Sequence, residues 1–449
     1  MLRTMSASAR RVLLIAIVAV AAAVVVLLLA RPPVAAPTAS ASASAHPTSS
    51  GRDEPAPAAA WVRAQWEAIH DPFAPHDPPL LRVDGLVDGG DLYVAWGRVP
   101  MQGRNQFNDL AAVFTSPDGR DWTVTPIVHG VNGPSTSELV GVAVGPHGYL
   151  AFGGVCCEPE SRAVWSSADG ISWTRLEMGG ELNPAQAYLV DAVAIEGGWV
   201  AAGIPMNGNG ADIWRSSDGD AWESVLHVEG GLAGLAISDL AATPTGVIAV
   251  GTLSGPDGTY DGAVWESSDG ATWERLAADD PALVGEGEVR LESVTPFAGG
   301  LFVTGAFGSS EERRQCEQLG QVATSDALPP MTALSCGWGT SHHWISEDGI
   351  SWERVDPAAA GREYPIETRL ASAGGPGLVV LGESSKPASP DTTLFTSPDG
   401  TTWIAVPPAL PVGSAVGVGL AVRGNEVVAI TEDFDGQRSA VAAWVVRVD

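Results

Sequence analysis

The sequence predicts an all-β fold, a seven-bladed β-propeller preceded by one transmembrane helix and a disordered stalk. Three observations predict it. The heptad S-x-D-G-x-x-W occurs at Ser116–Trp122, Ser167–Trp173, Ser216–Trp222, Ser267–Trp273, Ser346–Trp352 and Ser397–Trp403. An aromatic stands two residues before each serine, at Phe114, Trp165, Trp214, Trp265, Trp344 and Phe395. These recur about every 50 residues with one longer step before Trp344, a blade-sized period carrying a single insertion. Finally, each unit holds an apolar strand ending in glycine: YVAWG (Tyr93–Gly97), YLAFG (Tyr149–Gly153), WVAAG (Trp199–Gly203), VIAVG (Val247–Gly251), LFVTG (Leu301–Gly305) and LVVLG (Leu378–Gly382).

The heptad reads as a hairpin turn. Its Asp carboxylate and Ser hydroxyl accept N–H groups that the turn leaves unpaired, Gly supplies a positive φ, and Trp packs its apolar face beside the turn. Every member has a structural task, so Asp118, Asp169, Asp218, Asp269, Asp348 and Asp399 are assigned to the turns rather than to a ligand. A seventh unit follows at Ala415–Val422, Glu426–Thr431 and Ala440–Val448, with Trp444 in register but Val446 and Val448 in place of Ser and Asp. It lacks a fourth strand. Residues 59–69 are expected to supply one beside Ala440–Val448 and so close the ring, which removes exposed strand edges. The competing reading of that segment is a short helix with Val62, Trp66 and Ile69 on one face.

Composition agrees with many short strands joined by turns: 53 Gly, 33 Pro and 16 Trp in 449 residues. The chain has 53 acids against 24 Lys and Arg, a net charge of −29 and 45% apolar residues, which fits neither a disordered polyanion nor a nucleic-acid binder. The only residues with charge before residue 32 are Arg3, Arg10, Arg11 and Arg31, so the remainder is more acidic than the whole.

Val12–Ala30 is an unbroken apolar run, long enough at 1.5 Å per residue to cross roughly 30 Å of hydrocarbon. Arg3, Arg10 and Arg11 precede it, placing the amino terminus in the cytoplasm and the rest outside. Small residues around Ala35 and Ala36 offer a cleaved signal peptide as the alternative, but the run exceeds the about 7–15 residues of a signal core. The expected organisation is a cytoplasmic tail at 1–11, a signal anchor at 12–30, a Pro/Ala/Ser-rich linker at 31–58 and the propeller at 59–449. A single-pass cell-membrane protein with an extracellular, monomeric propeller follows as the expectation.

Outside the membrane, Cys156, Cys157, Cys316 and Cys336 are in a compartment that permits disulfides. The preferred pairing joins Cys316 to Cys336 within the insertion at 309–342, worth on the order of 3 kcal/mol, and leaves Cys156–Cys157 as a vicinal pair. Bridging across the mouth is the alternative. His342 and His343 lie near, but no CxxC spacing points to a metal. No cofactor is expected. The oxygen-rich stretches at 255–262 and 431–436 leave Ca²⁺ open as a ligand, although EF-hand spacing is absent and solvated turns explain them more simply. The loops after the second strands are polar, with Arg98, Arg104, Asn105 and Asp109 in repeat 1, Asn207, Asn209 and Asp212 in repeat 3, Asp257, Tyr260 and Asp261 in repeat 4, and Glu432, Asp433 and Asp435 in repeat 7. Such loops on a rigid scaffold suit a binding face.

The six heptads resemble the Asp-box, or bacterial neuraminidase repeat, of the β-propellers of sialidases, sortilin-type receptors, some xyloglucan-degrading enzymes and photosystem II assembly factors. The resemblance covers residues from about 80 to 449 and implies a turn between the third and fourth strands, opposite the ligand-binding mouth. It also implies a sialidase-like alternative, in which three arginines clamp a substrate carboxylate and a Tyr nucleophile is assisted by Glu. The matching set is Arg82 and Arg290, equally far before Gly97 and Gly305, with Arg369, Tyr364 and Glu367 or Glu363. The family's Arg-Ile-Pro motif is missing: Arg82 is followed by Val83 and Asp84, and Arg98-Val99-Pro100 falls on a different strand. Because a fold alone does not carry an activity, a module binding a glycan or envelope protein is the leading expectation.

Overall fold

The computed structural model of the chain describes residues 67–69, 82–100, 109–127, 137–155, 162–176, 179–182, 187–205, 210–230, 236–255, 258–285, 287–315, 339–356, 365–374, 377–384, 392–406, 416–434 and 439–447. The expected anchor, the linker, the four cysteines and Tyr364 lie outside them. Among the described residues no helix is long and apolar enough to cross a membrane.

Seven antiparallel sheets form the molecule. β1 (Glu67–Ile69) comes first. Blade 1 is β2 (Arg82–Asp88), β3 (Tyr93–Pro100), β4 (Asp109–Ser116) and β5 (Thr123–Pro126); blade 2 is β6 (Ser137–Gly145), β7 (Gly148–Val155), β8 (Arg162–Ser167) and β9 (Thr174–Arg175). β10 (Gly179–Gly180) precedes blade 3, which is β11 (Ala187–Ile195), β12 (Gly198–Pro205), β13 (Ala211–Ser216) and β14 (Ala221–Val228). Blade 4 is β15 (Ile237–Thr243), β16 (Gly246–Ser254), β17 (Tyr260–Ser267) and β18 (Glu274–Leu276); blade 5 is β19 (Glu288–Phe297), β20 (Gly300–Gly308), β21 (Thr340–Ser346) and β22 (Glu353–Val355). Blade 6 is β23 (Pro365–Gly374), β24 (Gly377–Ser384), β25 (Thr392–Ser397) and β26 (Ile404–Val406), and blade 7 is β27 (Val416–Arg423), β28 (Glu426–Phe434) and β29 (Ser439–Arg447).

The first strand of each blade contacts the first strands of both neighbours, and β2 contacts β27, so the ring is closed about an axis. The fourth strand of blade 7 is β1, with Glu67 opposite Val445, Ala68 opposite Trp444 and Ile69 opposite Ala443. Strand pairing therefore prevails over the helical spacing of Val62, Trp66 and Ile69, because β29 offers an open edge that a strand satisfies and a helix does not. One strand had no signal in the sequence. β10 pairs in parallel with β14, the longest outer strand at eight residues, and covers part of its edge.

The core is divided among the interfaces between neighbouring blades. Between blades 7 and 1, Val83, Leu86, Phe114 and Trp122 meet Val418, Val428 and Val445. Between blades 5 and 6, Phe302 and Ile345 meet Ala371, Leu378 and Phe395. The aromatic before each heptad serine is buried in every case, which explains its recurrence.

A bulge recurs in every inner strand, beside the same point of the second strand, and its extra residue is Asp84, Val140, Val190, Ser238, Glu292, Arg369 or Val418. In the following position, Gly85 and Gly141 lie beneath the rings of Trp96 and Phe152, where any Cβ would overlap the ring. Asp191 and Asp239 occupy the same position in blades 3 and 4, opposite Ala202 and Val250.

Candidate functional site at the axial mouth

Each inner strand runs from the mouth towards the end that carries the heptad turns, since Tyr93 pairs both with Asp88 and with Ser116. The starts of the inner strands and the ends of the second strands therefore surround the mouth. In blade 1, Arg82 stands opposite Arg98. The bulge residue Asp84, 7% exposed, accepts from Arg82 Nε at 2.7 Å and lies 3.6 Å from Arg98 Nε. In blade 5, the bulge residue Glu292 pairs with Arg290 at 2.5 Å. Glu288 is fully buried, and Arg313 donates to it from Nε at 2.7 Å, to the Gly258 carbonyl at 2.9 Å, and lies over the Tyr260 ring at 4.9 Å. Arg313 belongs to a short helix, residues 310–315, that opens the insertion of this blade. It thereby ties that insertion to blades 4 and 5.

Strand register sorts the sialidase-like set. Arg82, Tyr188 and Arg290 occupy equivalent positions, one before the residue facing Gly97, Gly203 and Gly305. In blade 6 that position belongs to Glu367, because Thr368 faces Gly382, whereas Arg369 is the bulge residue. The three arginines thus stand at two different levels of the mouth: Arg82 and Arg290 share one, and Arg369 shares the level of Asp84 and Glu292. Blades 1 and 5 are separated by blades 6 and 7 around the ring. Asp84, Glu288 and Glu292 were missed by the sequence reading; a carboxylate two residues after an inner-strand Arg is a local signal for Asp84 and Glu292, whereas Glu288 finds Arg313 25 residues further on.

The turns at the other end take up their aspartates fully. The serine hydroxyls are buried and accept from the glycine amides at 2.7–2.9 Å, and all six glycines have positive φ. Asp169 Oδ1 accepts from Ser172 N at 2.7 Å and Ile171 N at 2.9 Å, and Asp269 Oδ1 from Thr272 N at 2.7 Å and Ala271 N at 2.8 Å. These amides, in that order, pull both carboxyls down to about 2. The tryptophans also contribute polar contacts. Trp122, Trp173, Trp222, Trp352 and Trp403 each donate Nε1 to the carbonyl of the turn glycine at 2.9–3.1 Å.

Two further carboxylates act between blades. Asp191 Oδ2 accepts from Leu240 N in blade 4 at 3.0 Å, and Asp239 Oδ2 accepts from Val294 N in blade 5 at 2.9 Å. Their partner amides lie 49 and 55 residues further along the chain, so no local sequence signal marks them. His343 is buried against Phe302, and burial first, then the neighbouring His342, pushes its ring down to about 3. His342 Nδ1 lies 3.1 Å from the Thr340 carbonyl, and among the described residues no group of His, Cys, Asp or Glu is gathered as a metal site.

No protein-family model matches the chain, and no curated protein matches it. Among solved structures it is similar to YCF48 bound to D1 peptide, at 16% identity and a TM-score of 0.46 over 86% of this chain and 95% of that one. It is similar to a Trypanosoma rangeli sialidase in complex with the inhibitor DANA, at 10% identity and a TM-score of 0.41 over 84% of this chain and 57% of that one. The β-propeller domain of the Trilobed protease from Pyrococcus furiosus gives 10% identity and a TM-score of 0.48 over 82% and 98%. At these identities the likeness concerns the fold alone: the chain is an all-β, seven-bladed propeller.

Proposed function

We propose that the chain is a membrane-anchored, extracytoplasmic Asp-box propeller that works as a monomeric binding module, its axial mouth recognising a glycan or an envelope protein without a cofactor. The observation that carries this reading is the internal pairing of the mouth arginines. Arg82 is engaged by Asp84 and Arg290 by Glu292, each on its own strand. A clamp for a substrate carboxylate needs guanidinium charge directed at the ligand, and a carboxylate already bonded to each guanidinium offsets most of it. Paired charges on a rigid ring instead suit recognition by hydrogen bonds and by the polar loops around it.

Sialidase-like hydrolysis by Arg82, Arg290, Arg369, Tyr364 and Glu367 is the second reading, favoured by the placement of Arg82 opposite Arg98 at the mouth. A fluorogenic sialoside assay on the full chain in detergent, run beside a glycan array, separates the two. Saturable glycan binding, or photo-crosslinking to an envelope protein in membranes, with no turnover above buffer supports the binding module. Turnover that falls at least a hundredfold in both Arg82→Ala and Arg290→Ala would replace it with the hydrolase. Retention in the membrane after a carbonate wash tests the anchor separately.

A further inference from the structure

The junction between blades 7 and 1 differs from those between blades 3 and 4 and between 4 and 5. Between blades 3 and 4, and between 4 and 5, a buried aspartate holds the next inner strand through a backbone amide. At the closing junction side chains of opposite charge meet instead. Arg423, at the end of β27, stacks over the Tyr93 ring at 3.8 Å, donates from Nε to Asp88 of blade 1 at 2.8 Å and also donates to the Pro117 carbonyl at 3.1 Å. Tyr93 is fully buried, and its hydroxyl donates to Glu426 of blade 7 at 3.0 Å. Arg120, in the first heptad turn, reaches Glu67 on β1 at 2.9 Å and lies 3.9 Å from Glu426. The Glu67–Arg120, Glu426–Arg120 and Asp88–Arg423 ion pairs each join blade 7 to blade 1.

We propose that this cluster is an ionic clasp that latches the ring shut and makes the junction of blades 7 and 1 its opening point, sensitive to ionic strength. Among the described residues β1 pairs with β29 at Glu67, Ala68 and Ile69, and the clasp adds a side-chain tie from Glu67 to blade 1. Arg120 ties that strand to blade 1, and Arg423 ties blade 7 to blade 1. Opening the clasp releases β1 and bares the β29 edge while blades 2 to 6 keep their packing. Salt weakens the exposed Glu67–Arg120 pair most and the more buried Arg423–Asp88 pair less, as the screening length shrinks from about 10 Å at 0.1 M to about 3 Å at 1 M, whereas apolar interfaces are not weakened in this way.

Hydrogen exchange measured by mass spectrometry on the full chain in detergent tests the clasp, at 0.05 M and 1 M NaCl. The expected result is exchange about fivefold faster at high salt in peptides covering β1, β29 and β2, with those covering β12, β13 and β16 changed less than twofold. Glu67→Gln and Arg120→Gln, both at exposed or half-exposed positions, are expected to reproduce that pattern at low salt, and Arg423→Met to exceed it. Should Arg423→Met fail to fold, the salt series and the other two variants decide alone. Uniform exchange across all blades, or exchange in β1 within twofold of the parent in Glu67→Gln and Arg120→Gln, overturns the proposal.

Discussion

Replacing Asp239 by Ala tests how neighbouring blades are joined. Asp239 is 3% exposed, and its Oδ2 takes the Val294 amide of blade 5 at 2.9 Å. Val294 itself belongs to an apolar cluster with Leu291, Val303 and Trp344, so no water stands ready to replace the carboxylate. Removing the carboxylate leaves the buried amide orphaned, which costs about 1–3 kcal/mol, and a hydrogen bond to a charged group is worth about 1.5–3 kcal/mol by the same measure, so the loss is about 2–3 kcal/mol. For a domain of this size each kcal/mol lowers the melting temperature by roughly 2 °C, giving a fall of about 4–6 °C. Asp239→Asn keeps an oxygen acceptor of the same reach and is expected to lose about half as much. Urea unfolding followed by tryptophan fluorescence reads both variants as a shift in midpoint at constant slope. A loss under about 0.5 kcal/mol in the Ala variant, or an Asn variant as damaged as Ala, would refute the role given to this carboxylate.

Three further outcomes are expected. Trp222→Phe should destabilise more than Trp273→Phe, because Trp222 donates to the Gly219 carbonyl at 2.9 Å while the Trp273 indole N–H has no acceptor among the described residues; thermal melts of the two variants compare them directly. Stability should fall on acidification from about pH 6.5 towards about pH 3, by up to about 1.4 kcal/mol per pH unit, because the unfolded chain protonates His343 where the folded one, held down to about 3, refuses the proton. His343→Phe should flatten that slope in a pH series of urea midpoints, leaving only the loss below about pH 4 from carboxyls such as Asp169 and Asp269. A chain starting at residue 72 lacks β1 and should melt well below the full chain, and an unchanged melting temperature would mean that β1 adds nothing to closure.

The architecture was legible because each of its signals is local and repeated. A Ser, Asp, Gly and Trp at fixed spacing specify one turn without help from distant residues, and six copies set the blade period. Closure by β1 was legible for a different reason: Trp444 is in register with the other aromatics, so the missing outer strand could be counted. The mouth was only half legible. Arg82 and Arg290 were found by their distance from a glycine, and they do share a register. That distance says nothing of a bulge, which is why Arg369 was grouped with them although Glu367 holds the equivalent place. Asp84 and Glu292 sit on bulges, of which the spacing to their arginines is only a hint, and Glu288 is paired by Arg313 from the insertion, 25 residues further on. The blade-joining role of Asp191 and Asp239 depends on a neighbour some fifty residues away, beyond any local pattern.

The short β1 strand also fixes a handle on the molecule. Antiparallel to β29, it begins at Glu67 beside the heptad turn of blade 1 and runs towards the mouth. Glu67 therefore lies at the turn face, at the rim of the disc, and the mouth is on the face furthest from it. A load applied through the amino terminus acts along β1 and would have to slide it lengthwise against β29, breaking its hydrogen bonds together rather than peeling them one at a time.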